Sequence, residues 1–289
     1  MSNVTNDLRP SSFNHLTTLF HGVSKQRVTL VAFSALACLV IGVAIGWHLF
    51  GRCTQNYIAY SHKTLGPVSI DHKFATTVSI VNQDTLQAAL ELKTKGASEK
   101  NIAILDMANA NNPGGFHKDL SVNAQEEQLI RRSSMLLARL EEAKRIINPR
   151  DTELPGTGFQ ESFIPRDGCL YLKDISYMVD ATSITVSTIC SAAINRFDER
   201  LSRDPYQAIM RHKVLILLYS AYINNQTDIV LGAFGCGVYG NSPEDVAGFF
   251  HEALTGPFKG VFRNVVFAIL DRSQNNISVF KERFKNGLN

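Results

Sequence analysis

This chain of 289 residues lacks a paired-cysteine framework. Its five cysteines, Cys38, Cys53, Cys169, Cys190 and Cys236, are odd in number and form no Cys-x-x-Cys pair. That argues against a disulfide scaffold or a zinc site, and for a reducing, cytosolic compartment. The chain also lacks a charge imbalance. A formal net charge of +3 marks no surface for nucleic acid, and no direct nucleic-acid contact is expected. No His/Asp cluster stands at ligand spacing, and His117 and His251 read as surface or loop residues. Neither a metal nor a cofactor is expected. Internal repeats and low-complexity tracts are missing. No Gly-x-Gly-x-x-Gly follows the first strand, and the run from Gly235 to Gly240 comes late. This disfavours a Rossmann-type nucleotide enzyme.

What is present is 45% apolar residues, enough for one globular domain of ordinary size with an appendage. The appendage is expected at 28–50, a run free of Asp, Glu, Lys and Arg. Its length suits a transmembrane helix, with Lys25 and Arg27 at one end and Trp47 and Arg52 at the other. It starts late and runs long for a signal peptide, and a buried helix would show a polar face. The expected organisation is a polar tail over 1–27, a membrane span over 28–50, a juxtamembrane connector without clear periodicity over 51–73, and a globular domain over 74–289. The chain is thus expected to be a single-pass membrane protein, with the membrane as a partner through 28–50.

In the globular part, strands are expected at 76–81, 101–108, 183–189, 228–233 and 264–270. Helices are expected from an Asp84 cap to Lys93, then over 125–147 as one long amphipathic helix, 203–224, 243–254 and 275–284. The stretch 150–174, with turn signals at Pro155-Gly156 and Pro165-Arg166-Asp167-Gly168, is expected to be irregular. Strands alternating with helices indicate a largely parallel sheet covered on both faces.

Two segments concentrate the chemistry. Asn111-Asn112-Pro113-Gly114-Gly115 follows the strand at 101–108, and Gln125-Glu126-Glu127 opens the next helix. Strand–loop–helix junctions are where α/β folds place ligands. Glycine admits close backbone approach to a sugar or phosphate, and paired carboxylates in a confined site divide into an acid and an ionised partner. Adjacent glutamates at a helix start also simply favour the positive end of the helix dipole. Asn111 and Asn112 serve equally well as turn formers or ligands. The second segment, from Leu231 to Asp245, contains Gly232, Gly235, Gly237 and Gly240, then Ser242 and Pro243 as a helix start. Such a loop presents backbone N–H groups to an anion such as a diphosphate.

Together the two segments resemble the microbial type of poly(ADP-ribose) glycohydrolase, a macrodomain-related family. Its signature is a Gly-Gly-Gly run, six to eight residues, then Gln-Glu-Glu, and later a Gly-Cys-Gly-Val-Phe-Gly-Asn loop. The resemblance spans roughly 76–284. Phe116 stands at the third glycine and Tyr239 at the phenylalanine. The resemblance implies a three-layer α/β/α macrodomain-like sandwich with a mixed, mostly parallel sheet, preceded here by the N-terminal transmembrane helix. It implies hydrolysis of the ribose–ribose O-glycosidic bond of poly(ADP-ribose), or removal of protein-linked ADP-ribose, with the polymer or its modified proteins as partner. Carried over by position, Glu127 is the general acid, and Glu126 binds the distal ribose or orients the leaving group. Asn109, with Asn111 or Asn112 as alternatives, meets the distal ribose. Gly114, Gly115 and Gln125 complete the first motif around the substrate. Gly235, Cys236, Gly237, Val238 and Tyr239 wrap the diphosphate, with the Tyr239 ring beside the ribose. Phe116 either blocks the sugar's approach or packs on it. The competing reading is a non-catalytic, membrane-tethered ADP-ribose-binding module. The pair Glu126-Glu127 favours the enzyme, because binding alone needs no acid.

Overall fold

A computed structural model of the chain describes residues 57–60, 70–147, 162–197, 201–271 and 275–288. Its strands are β1 (Tyr57–Tyr60), β2 (Thr77–Val81), β3 (Ile102–Met107), β4 (Cys169–Val179), β5 (Thr182–Ser191), β6 (Asp228–Leu231) and β7 (Asn264–Ala268). Its helices are α1 (Thr85–Thr94), α2 (Gln125–Arg131), α3 (Leu136–Ile147), α4 (Arg203–Ile223), α5 (Pro243–Thr255) and α6 (Asn275–Arg283). The strands form one mixed sheet in the order β1-β4-β5-β3-β6-β7-β2. β4 alone runs against the rest, pairing antiparallel with β1 and β5, while the other neighbours pair parallel.

Alternation along β3 divides the core. Ala103 and Leu105 face one layer, shared with Val214, Leu217, Phe250 and Phe280 from α4, α5 and α6. Ile102 and Ile104 face the other, shared with Leu86, Leu129, Leu136 and Leu140 from α1, α2 and α3. A strand buried on both faces reads as an unbroken apolar run, as Ile102-Ala103-Ile104-Leu105 does. Helix starts match their caps: Asp84 Oδ1 accepts from the N–H of Leu86 at 2.9 Å and of Gln87 at 3.0 Å, and Ser242 Oγ from Asp245 N–H at 3.1 Å. The connection after β3 enters the α2 layer and the one after β6 enters the α5 layer. The neighbouring strand ends therefore open a crevice between the two loops, where such sheets bind ligands.

Four expectations are corrected. The single helix expected over 125–147 is two. The helix α2 ends at Arg131 with Arg132 as its cap, and Ser133 leads into α3, its Oγ accepting from Leu136 N–H at 3.1 Å while donating to Ser176 O at 2.8 Å. The irregular stretch expected up to residue 174 already contains β4 from Cys169. The connector expected over 51–73 contributes β1 to the sheet edge. The span expected at 28–50 and the tail before it lie outside the described residues. Among the described residues no helix is long and apolar enough to cross a membrane. The longest, α4, carries Arg203, Asp204, Arg211, His212 and Lys213, too many ionisable groups for hydrocarbon. The single-pass membrane placement is withdrawn on that finding.

Candidate active site

The first motif is held by its own glutamine and glutamates. Gln125 Nε2 donates to Leu105 O at 2.6 Å, and its Oε1 accepts from Met107 N–H at 2.9 Å. The side-chain amide thus prolongs the sheet's hydrogen bonding and fixes the start of α2 against the end of β3. Glu126, 3% exposed, accepts from Asn109 N–H at 2.8 Å on Oε2 and from Gly114 N–H at 3.0 Å on Oε1. One carboxylate therefore ties both limbs of the loop together. Glu127, 5% exposed, accepts from Phe116 N–H at 2.9 Å on Oε1, and its Oε2 is buried without a hydrogen-bond partner.

Gly115 explains why the motif needs glycine. Its φ is +56°, and a Cβ there would stand 2.4 Å from Glu127 Oε1 and 3.1 Å from Glu126 Oε2. The backbone lies flush against both carboxyl groups, in a conformation that L side chains avoid. Asn109 Oδ1 accepts from the N–H groups of Asn111 and Asn112, both at 3.0 Å, a local turn of the kind Asn favours.

The second loop comes off β6. Gly235 has φ +74°, and a Cβ there would lie 2.4 Å from Ala193 Cβ. Asn241 staples the loop: its N–H donates to Gly235 O at 3.0 Å, and its Nδ2 donates to Gly235 O and Ile194 O, both at 2.9 Å. Among the described residues, the N–H groups of Gly237 and Val238 make no hydrogen bond, and a Cβ on Gly237 would meet open space. This stretch is thus a backbone surface ready to accept an anion.

Both loops line one cleft of about 630 Å³. Asn109, Gly115, Phe116, Gln125, Glu126 and Glu127 come from the first segment, and Gly235, Gly237, Val238 and Tyr239 from the second. Asn111, Asn112, Gly114 and Cys236 are not on its wall. Asn111 instead accepts from Ser162 Oγ at 2.9 Å, Asn112 donates to Gly115 O, and Gly114 is buried beneath the loop. Cys236 corrects the expectation that its amide faces the diphosphate, since its N–H closes a turn on Ala233 O at 3.0 Å. Burial pushes its thiol up to about 12, which removes it as a nucleophile at neutral pH. Phe116 is 65% exposed at the cleft mouth. Its ring also borders a neighbouring hollow with His117, Lys118, Lys144 and Arg145.

Two residues of the site escaped the sequence reading. Asn241 was visible as part of the second loop but carried no assigned role. Asp106 is the one charged residue in the apolar run of β3 and is wholly buried beneath the glutamates. Burial foremost, then the nearby Asp106, raises the Glu126 carboxyl above its ordinary range, against the two N–H groups that favour its charge. Burial raises Asp106 to about 7, Glu127 adding to the shift and Cys190 opposing it. The site therefore offers a crowded set of carboxyls, at least one of which holds a proton at neutral pH, facing an anion-ready loop. That combination suits acid-assisted cleavage of a phosphorylated sugar.

Known proteins resemble the chain in both sequence and fold. Residues 47–162 match the family model described as microbial-type PARG, catalytic domain. A poly(ADP-ribose) glycohydrolase of Deinococcus radiodurans, solved with ADP-ribose, is 28% identical with a TM-score of 0.62, the match covering 74% of this chain and 86% of that one. The Thermomonospora curvata enzyme bound to the inhibitor ADP-HPD is 29% identical with a TM-score of 0.61, over 73% and 80%. Another structure of the T. curvata enzyme is 27% identical with a TM-score of 0.64, over 80% and 86%. No curated protein matches the chain.

Proposed function

We propose that this chain, whose residues 47–162 match the microbial-type PARG catalytic-domain model, hydrolyses poly(ADP-ribose) at the ribose–ribose O-glycosidic bond. The observation that carries this reading is that Glu127 and the loop from Gly235 to Tyr239, more than a hundred residues apart in sequence, line a single cleft. Glu127 protonates the leaving ribose oxygen as the bond breaks. Its Oε1 is held by Phe116 N–H, which leaves Oε2 to carry the proton. Glu126 spans Asn109 and Gly114 and keeps the loop in register with the sugar. The backbone of Gly237 and Val238 receives the diphosphate, and Tyr239 stands beside the ribose. A water then attacks the oxocarbenium-like carbon and gives its proton to the Glu127 carboxylate, which restores the acid. The same steps would release ADP-ribose linked to a protein through a glycosidic oxygen. The three-layer arrangement, with the anion-ready loop on the strand next to the glutamate-bearing one, supports reading the framework as macrodomain-like.

Incubating the purified chain with automodified polymer and following free ADP-ribose tests this reading. Steady release supports it. Binding of polymer without release would turn the chain into a recognition module.

Phe116 provides a finer test. Its backbone N–H, not its ring, holds Glu127, so Phe116→Gly is expected to leave kcat within a few-fold of wild type. Losing the ring's contact with bound sugar, worth about 1.5 kcal/mol, is expected to raise KM roughly tenfold. If kcat rises and KM stays put, the ring is an obstruction.

A further inference from the structure

The hollow beside the cleft encloses about 940 Å³, within the roughly 300–1,000 Å³ usual for small-molecule sites. The two spaces share one wall, formed by Gly115 and Phe116. Among the described residues, none from Gly235 to Tyr239 borders the hollow. Its charged groups are Lys118, Lys144 and Arg145 against Asp119 and Glu141. The Asp119 carboxylate is taken up by its own loop, where Oδ1 accepts from Ser121 N–H at 2.9 Å and from Ser121 Oγ at 2.7 Å. The balance is cationic, and the dividing wall carries the exposed phenyl ring of Phe116. Cations beside a flat ring suit the phosphates and base of a nucleotide.

The cleft accommodates one ADP-ribose unit, with its diphosphate at Gly237 and Val238 and its scissile bond at Glu127. In a polymer the chain continues from the leaving oxygen into another adenosine and another diphosphate. That oxygen takes its proton from Glu127, whose Oε1 is held at 2.9 Å by Phe116 N–H. The leaving unit therefore begins beside residue 116, at the wall that divides the cleft from the hollow.

On the glycohydrolase reading above, we propose that this hollow is a second subsite, holding the next ADP-ribose unit of the polymer on the leaving side of the scissile bond. Phe116 stands between the sugar in the cleft and the adenine of that unit. Lys118 and Arg145, both exposed, meet its diphosphate, and Lys144 adds to the local positive charge. Polymer fills both spaces and free ADP-ribose only one, so the chain prefers polymer.

The test is calorimetry on Glu127→Gln, in which turnover is expected to be slow, with ADP-ribose and with an oligomer of a few units as ligands. At low salt the oligomer is expected to bind roughly tenfold more tightly. Adding Lys118→Glu and Arg145→Glu together is expected to erase that advantage while the affinity for ADP-ribose stays within about twofold. In the active enzyme the same two substitutions are expected to raise KM for polymer roughly tenfold. An oligomer that binds no better than ADP-ribose overturns the subsite. So does an advantage that survives both substitutions, or an equal loss for both ligands. Should the charge-reversed variant fold poorly, salt decides with the hollow unaltered. Oligomer affinity is expected to fall more steeply than ADP-ribose affinity as salt rises, because more phosphates are neutralised, and parallel slopes overturn the assignment. Wild type that never releases ADP-ribose from polymer overturns the glycohydrolase reading instead, while the binding comparison still judges the hollow.

Discussion

Glu127→Gln is expected to lower turnover of poly(ADP-ribose) by about 10²–10⁴-fold, the usual cost of losing a positioned general acid. The affinity for ADP-ribose is expected to stay within about twofold. The substitution is nearly isosteric, and the amide oxygen can still accept from Phe116 N–H as Glu127 Oε1 does at 2.9 Å. What disappears is the transferable proton on the second oxygen. Single-turnover assays on polymer, paired with calorimetric titration of ADP-ribose, separate the two quantities. Activity within a few-fold of wild type would remove Glu127 from the acid's role. A matching loss of affinity would show that the residue acts by holding the loop.

Gly115→Ala is expected to damage both activity and stability. At φ +56° an alanine costs roughly 1–2 kcal/mol for the left-handed conformation alone. Its Cβ would also stand 2.4 Å from Glu127 Oε1, so the carboxyl or the loop must move. A displacement of about 1 Å at a reacting group can cost on the order of 10²-fold in rate, and that loss is expected in kcat. A drop of several degrees in Tm should accompany it. Full activity in the alanine variant would mean that the loop adopts another conformation when substrate binds.

The fold was legible where residues declare their backbone. Asp84, Ser242 and Pro243 mark helix starts by their capping chemistry, and Ile102-Ala103-Ile104-Leu105 marks a strand buried on both faces. It was not legible where tertiary pairing decides. β4 begins as a plain apolar run, Cys169-Leu170-Tyr171-Leu172. Its pairing with β5 then slips between Leu172 and Ile175, where Asp174 takes φ +54°. The irregularity breaks the alternation that identifies a strand. The two helices over 125–147 share apolar spacing across their junction, so periodicity alone joins them. The break depends on Ser133 reaching Ser176 on β4, a partner far away in sequence. The site followed the same division. Gly115 and Gly235 proclaim positive φ, and the adjacent glutamates proclaim paired carboxyls. Asp106 is one acid in a hydrophobic strand. Its meaning appears only once α2 is folded onto it.

The short strand Tyr57–Tyr60 has a consequence beyond topology. It pairs antiparallel with residues 169–172 of β4, a segment whose residues are all buried. Without those four residues the sheet would end in an apolar strand with its outward N–H and C=O groups unmet, a template for docking another chain edge to edge. A shortened chain beginning after Tyr60 would keep every group of the cleft and still be prone to self-association. The tyrosine-bounded strand thus covers the edge of β4, far from the chemistry of the cleft.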